Sequence, residues 1–206
     1  MLGIDEAGRG CVLGPLVVAG FVYEGEGEDA LRAAGANDSK RLSHAKRLKA
    51  RAALASLGTE HVHAIDARAI DLGNLNSLEE AAIVAMVRAT RPDRVVVDAL
   101  GHPKTIPATI ARLQEATGVD AEWTMEPKAD ATYAVVGAAS IVAKTTRDAA
   151  LAGFATEHGD LGSGYPSDPT TRAWLEAWSV TAEPWPRFVR TRWATIASLG
   201  QRSLFR

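Results

Sequence analysis

The sequence predicts an α/β domain built on one open sheet, and three observations carry that prediction. Short apolar runs such as Leu16 to Tyr23, Arg94 to Asp98 and Val119 to Met125 alternate with stretches whose caps and apolar spacing read as helices. Two runs, Met1 to Glu6 and Arg94 to Asp98, end in carboxylates, and in open sheets sites form beyond the carboxyl ends of strands. The first of these runs is followed at once by a Gly8-Arg9-Gly10 turn.

The opening stretch reads as strand, acidic end, tight turn, strand. Gly8 and Gly10 allow positive φ or close approach of backbone to a ligand, and Arg9 between them offers a forked cation suited to phosphate. Adjacent strand residues point to opposite faces, so Asp5 and Glu6 cannot both meet one ion from a regular strand. Either the strand ends or bulges here, or only one of the two is a direct ligand. Leu16 to Tyr23 is the next strand and Glu24 to Glu28 a loop. Asn37-Asp38-Ser39-Lys40 leads to a helix capped by Ser43, with Leu48 and Leu54 on its apolar side and Gly58 as its stop. A hydroxyl and an ammonium at that entry suit a phosphate.

His61 to Asp66 alternates as a strand. His61 and His63 share a face but lack a third ligand nearby, so they read as a surface or edge pair. Ser77-Leu78-Glu79-Glu80 has the capping-box pattern and opens a helix to about Thr90. Arg94 to Asp98 is continuous enough to be a central strand buried on both faces. A helix is expected from Ile106 to Thr117 and a strand from Val119 to Met125. The loop Glu126-Pro127-Lys128-Ala129-Asp130 then delivers an acid to a helix from Tyr133 to about Ala152. That helix is rich in small residues, which let it lie close to a neighbouring element. Asp130 fits a helix cap as well as a site. Gly162 to Pro169 is a turn-rich link with Asp168 capping the next helix and Pro169 in its first turn. Trp174 and Trp178, four apart, read as core, and Trp185 and Trp193 as packing for the arginine-rich tail.

Composition bounds the function. The 206 residues, 47% hydrophobic and 23% charged, suit one globular domain or a domain with an appendage. No apolar run is long enough to cross a bilayer, and no signal peptide is read, so a cytoplasmic protein is expected. The single cysteine, Cys11, excludes an internal disulfide and is expected as a small buried residue. Net charge is only −2, but the charges segregate. From Lys40 to Arg51 six bases occur without an acid, and after Glu183 only arginines follow. Segregated charge makes a basic face on a near-neutral protein and points to a polyanionic partner.

Asp5, Glu6, Asp98 and Asp130 form the candidate chemical set. Carboxylates without His or Cys favour hard cations such as Mg²⁺ or Mn²⁺. Two such ions, about 3.5–4 Å apart, bracket a phosphodiester undergoing in-line displacement.

In these motifs the chain resembles ribonuclease HII, the type 2 ribonuclease H family, and specifically its archaeal/eukaryotic-like branch. The resemblance rests on Gly3 to Gly10, Asp38-Ser39-Lys40, Leu75-Asn76, Val97-Asp98-Ala99, Lys128-Ala129-Asp130, Ala138 to Lys144 with Arg147-Asp148, Gly162 to Pro169, and Pro186 to Thr195. It covers nearly the whole length. It implies a ribonuclease H-like mixed β-sheet flanked by helices, with a catalytic core over 1–160 and a helical C-terminal extension over 161–206. It implies catalytic metal ligands at Asp5, Glu6, Asp98 and Asp130, holding two Mg²⁺ or Mn²⁺ ions. Gly8, Arg9, Gly10 and Tyr165 would read the ribonucleotide, whose 2′-hydroxyl distinguishes RNA from DNA. Lys40, Asn76 and Lys144 would complete the substrate site.

The implied reaction cleaves the RNA strand of RNA–DNA hybrids and cuts 5′ to ribonucleotides embedded in duplex DNA. It leaves a 3′-hydroxyl and a 5′-phosphate, and serves ribonucleotide removal and primer processing. A monomer is expected. Pro127 stands where the archaeal pattern usually has histidine. Ribonuclease HIII, a relative with an extra N-terminal domain, is disfavoured because Asp5 follows Met1 by four positions. A binding protein without catalysis is disfavoured because all four acids are present. Gln201 to Phe205 resembles a short sliding-clamp-binding peptide.

Overall fold

The computed structural model describes residues 1–36, 42–99, 103–181 and 183–203. The expected Asp38-Ser39-Lys40 helix entry lies outside them. Five strands form one mixed sheet: β1 (Leu2–Ala7), β2 (Leu16–Val22), β3 (Thr59–Ile65), β4 (Arg94–Asp98) and β5 (Glu122–Glu126), in the order β3-β2-β1-β4-β5. β1, β2 and β3 pair antiparallel, while β4 runs parallel to both β1 and β5.

Helices cover both faces. On one lie α1 (Asp29–Ala33), α2 (His44–Leu54) and the 25-residue α7 (Ala134–His158). On the other lie α3 (Ala67–Leu72), α4 (Leu75–Thr90) and α5 (Ile106–Thr117). The period of two assigns the strand side chains to these layers. Leu2, Ile4, Leu16, Val18, Val95 and Val97 enter the α4 layer, and Ala7, Val17, Ala19, Phe21 and Val96 the α7 layer. β4 is buried on both faces, as its continuous apolar run predicts.

The small residues of α7 do the expected work. A Cβ at Gly3 would lie 2.4 Å from the carbonyl carbon and oxygen of Val135, so helix and strand backbones touch. The start of α7 is held from outside: the Glu28 carboxylate accepts from the backbone N–H of Ala134 (2.9 Å) and Val135 (3.0 Å). This satisfies two of the four unpaired donors at a helix start.

Several expectations need correction. The Ser77 capping box is not used. Asn74 caps α4, its side chain accepting from Ser77 N at 3.1 Å, and Glu79 turns into the interior. Ser43 does cap α2, but Leu48 is 48% exposed; Ala50 and Leu54 make the buried side. α7 runs to His158, beyond Ala152, and Asp130 sits in a separate short helix, α6 (Ala129–Thr132). α1 and α3 are further helices for which the sequence reading had none.

After Gly159 the chain forms α8 (Pro169–Ser179) and α9 (Ala194–Ser203), packed through a third cluster of Val12, Leu13, Leu151, Leu161, Leu175, Phe188, Val189 and Ile196. Trp174, Trp185 and Trp193 pack on that cluster, and Trp174 stacks on Trp178 at 5.2 Å. Among the described residues no helix is long and apolar enough to cross a membrane.

Gly3→Ala is expected to force α7 off β1 and to cost about 1–3 kcal/mol, the usual range for overpacking. Denaturant unfolding should show a lower midpoint with an unchanged m-value.

Candidate active site

β1 and β4 pair from Leu2↔Val95 to Ile4↔Val97 and then part. Asp5 and Asp98 are the first residues beyond the last pair, so they stand side by side where the sheet opens. Gly3 and Ala7 face α7, and so does Asp5 between them. Its carboxylate is 4% exposed, accepts from Glu6 N at 2.7 Å, and lies 3.8 Å from Lys144 Nζ of α7. Lys144 also donates to Ser140 Oγ at 2.5 Å. Asp98 Oδ1 accepts from Ala129 N at 2.9 Å, which fixes the start of α6 against the end of β4. That helix carries Asp130, 2% exposed and close enough to Asp5 to repel it. The turn into α6 needs a left-handed residue, Lys128, at φ 63°.

Glu6 resolves the question of adjacent acids. The strand neither ends nor bulges at Glu6, since β1 keeps its pairing with β2 through Ala7↔Val17. Glu6 leaves the opposite face from Asp5, yet both border one cleft of about 400 Å³ beyond the strand ends, together with Asp98, Lys144, Arg147 and Tyr165. Their electrostatics agree with this crowding. Burial, then the charges of Asp5 and Asp98, push Glu6 up to about 8. Burial also raises Asp5, with Lys144 opposing. Among the described residues no group of three or more His, Cys, Asp or Glu side chains is drawn together closely enough to hold a metal ion.

The Gly-Arg-Gly turn forms the other wall. Gly8 has φ 88°, and a Cβ there would meet the Pro15 carbonyl at 2.6 Å, so only glycine fits. Arg9 is not a free fork for phosphate. Its guanidinium pairs with the fully buried Glu79 carboxylate and donates to Asn76 Oδ1 at 2.5 Å. Asn76 therefore sits beside the site through Arg9. Gly10 is exposed, and the Tyr165 ring lies 3.6 Å from where its Cβ would be. Tyr165 is 42% exposed; burial, then Cys11, raise its hydroxyl to about 12, so it is a neutral phenol.

Two arginines hold these walls. Arg147 of α7 donates to Cys11 Sγ at 3.1 Å and to the Ser163 carbonyl, and stacks 5.5 Å from the Tyr165 ring centroid. Arg190 is fully buried and donates to the carbonyls of Gly8 (2.7 Å), Arg9 (3.0 Å) and Gly14 (3.1 Å twice). Sequence reasoning gave neither Arg190 nor Glu79 a place at the site. Arg190 carries no local signal, since it is one of three arginines within Arg187 to Arg192. Lys40 lies outside the described residues. His61 and His63 stay on β3, at the edge of the sheet.

The family model described as Ribonuclease HII matches residues 2–196. The chain belongs to the ribonuclease HII family. It is 40% identical over 207 residues to ribonuclease HII of Aeropyrum pernix, covering 97% of this chain and 90% of that one. The crystal structure of ribonuclease H2 from Pyrococcus horikoshii superposes with a TM-score of 0.89 at 35% identity, covering 98% and 97% of the two chains. The ribonuclease HII of Archaeoglobus fulgidus, solved in a complex with PCNA, gives 0.86 at 35% identity over 96% and 95%. The protein is thus a hydrolase, a type 2 ribonuclease H acting on RNA–DNA hybrids, on the ribonuclease H fold that its motifs imply.

The raised Glu6 gives a pH dependence with a defined sign. Between its ordinary 4.5 and about 8 the folded protein keeps a proton that the unfolded chain has released. Stability of the chelator-treated protein is therefore expected to fall as pH rises through that window. Glu6→Gln should remove part of that slope in thermal melts collected across the range.

Proposed function

We propose that this ribonuclease H also cuts 5′ to single ribonucleotides embedded in duplex DNA, using divalent cations held by Asp5, Glu6, Asp98 and Asp130. The observation that carries the reading is one cleft with two different walls. One wall is a set of acids, the other a rigid glycine turn facing Tyr165. A set of carboxylate oxygens without His or Cys fits Mg²⁺ or Mn²⁺, and the raised Glu6 and Asp5 mark a negative charge that a cation would relieve. Bound there in a pair, such ions would activate water and neutralise charge on the scissile phosphate.

The protein's own groups select the ribonucleotide. Gly8 and Arg9 carbonyls are occupied by Arg190. Among the described residues the N–H of Arg9 and both backbone groups of Gly10 form no hydrogen bond, so they remain for a 2′-hydroxyl, which both donates and accepts. The Tyr165 ring, exposed beside Gly10, supplies a flat apolar face for the neighbouring sugar. Lys144 and, by family likeness, Lys40 carry charge toward phosphates, while Asn76 steadies Arg9. Residues 1–160 act as the catalytic core and 161–206 as an extension that brings Tyr165 to it. The protein is expected to work as a monomer in the cytoplasm, in ribonucleotide removal and primer processing.

A DNA duplex carrying one ribonucleotide tests the reading directly. The protein is expected to nick it 5′ to that residue, leaving 3′-hydroxyl and 5′-phosphate ends, with Mg²⁺ or Mn²⁺ and not after chelation. Asp5→Asn or Asp98→Asn should abolish cutting while leaving duplex binding largely intact. Ion-independent nicking, or unchanged turnover in either variant, would refute the site.

The Archaeoglobus fulgidus relative was solved in a complex with PCNA, and the tail Gln201 to Phe205 resembles a short sliding-clamp-binding peptide. Leu204 and Phe205 lie outside the described residues. This tail recruits the enzyme to the clamp. Removing residues 200–206 is therefore expected to weaken clamp affinity at least tenfold by calorimetry; equal affinities would eliminate the tail as the contact.

A further inference from the structure

A second cleft, about 340 Å³, opens on the same edge of the sheet as the acids. It lies between Gly14-Pro15, the start of α3 and the Arg187-Phe188 segment of the extension, and Phe154, stacked on Phe188 at 4.6 Å, also lines it. Its position follows from strand register. β3 ends at Ile65 opposite Leu16, the first residue of β2, so the Asp66-Ala67-Arg68 turn emerges beside the carboxyl end of β1. The strand order places it two strands from the gap between β1 and β4, about 10 Å at the usual strand spacing. That is the rise of about three base pairs.

The charges in this cleft are unequal in their commitments. Asp66 accepts from Ala69 N at 2.7 Å as the cap of α3. Nearby Asp71 accepts from the N–H and hydroxyl of Thr191 and from Arg192 N. Both acids are thus engaged with backbone donors. Arg68 and Arg187 are exposed, and among the described residues neither has a hydrogen-bond or carboxylate partner. Gly14 joins this cleft to the first. Its N–H donates to the Phe188 carbonyl at 2.8 Å, and its carbonyl accepts from the same Arg190 that holds Gly8 and Arg9.

We propose that Arg68 and Arg187 bind backbone phosphates of the substrate duplex, a few base pairs to one side of the ribonucleotide. The inference rests on the reading of the first cleft as the site of a ribonucleotide in a duplex. Two exposed guanidinium groups without acid partners suit phosphate. Continuity with the substrate turn, along one sheet edge, favours the duplex over a separate acidic protein. The contact carries no sequence information and fixes how the duplex lies on the enzyme.

Duplexes with one ribonucleotide and flanks of twelve base pairs on both sides, or of twelve on one side and two on the other, test this by fluorescence anisotropy. Binding is measured in chelator between 50 and 200 mM salt, comparing the wild type with the Arg68→Ala/Arg187→Ala variant. Two phosphate contacts are worth a salt slope of about 1.8, so over that range the wild type should lose about tenfold more affinity than the variant. The difference should vanish for the duplex trimmed on one particular side, and Arg68→Lys/Arg187→Lys should retain the wild-type slope. Equal slopes for wild type and alanine variant, or a loss indifferent to which flank is trimmed, would overturn the proposal. Failure of the wild type to cut any of these duplexes with Mg²⁺ or Mn²⁺ would instead overturn the reading of the first cleft. Cutting with equal slopes would leave that reading standing and remove only the second contact.

Discussion

A guanidinium wholly removed from water must have its donors satisfied, and in this protein Arg190 meets that requirement with the backbone of the Gly8-Arg9-Gly10 turn and of Gly14. Four hydrogen bonds reach three carbonyls, and the group lies 5.3 Å from the centre of the Trp193 ring. Burial lowers its pKa to about 10, which still leaves it charged at neutral pH. The arrangement constrains both partners. Charge-assisted bonds are stronger than neutral ones, and losing the guanidinium would leave three carbonyls short of donors inside the protein. The carbonyls of Gly8 and Arg9 therefore face inward, and the backbone of Gly10 is left to face the cleft.

The acidic wall obeys an opposite constraint. Asp5, Glu6 and Asp98 converge because β1 and β4 stop pairing after Ile4 and Val97. Like charges gathered in a partly buried place disfavour ionisation, which is the direction taken by Asp5 and Glu6. Lys144 is the nearest relief, at 3.8 Å from Asp5. Arg9 lowers Glu6 only weakly because its guanidinium is directed to Glu79, at the start of α4. The fold thus keeps its strongest cation slightly aside and leaves the acids short of positive charge. If the acids hold hard cations as proposed, they gain from that shortage, since a resident arginine among them would compete with the ions.

Much of this was legible in the sequence. Asp98 at the end of β4 is a local signal, whereas β1 runs two residues past Asp5, which stands at the opening only because β4 stops pairing with it. Gly8 was legible locally as well: its turn admits no Cβ. The misses are tertiary. Ser77 and Asn74 are both competent caps, and the choice between them depends on Glu79 reaching Arg9, seventy positions away in the chain. Leu48 followed helical spacing but points away from α7, so spacing alone misassigned its face. Arg190 looked like one of several tail arginines, since nothing local says that a cation will be buried against carbonyls nearly two hundred residues earlier.

The extension is for this reason part of the site and not an appendage to it. Tyr165 comes from it, as does Arg190, and Gly164 accepts from the N–H groups of Val12 and Leu13, just after the turn. A single bridge, Leu13↔Val189, and the Arg190 N to Val12 carbonyl bond close the loop of contacts from the other side. The proposed recognition of one hydroxyl by backbone groups would demand that the backbone not drift, because misplacement by about 1 Å can cost two orders of magnitude in rate. A free glycine-rich turn would not meet that demand. Here the flexibility that glycine brings is used to reach an unusual φ, and the rigidity is restored by buried arginines from α7 and from the segment before α9.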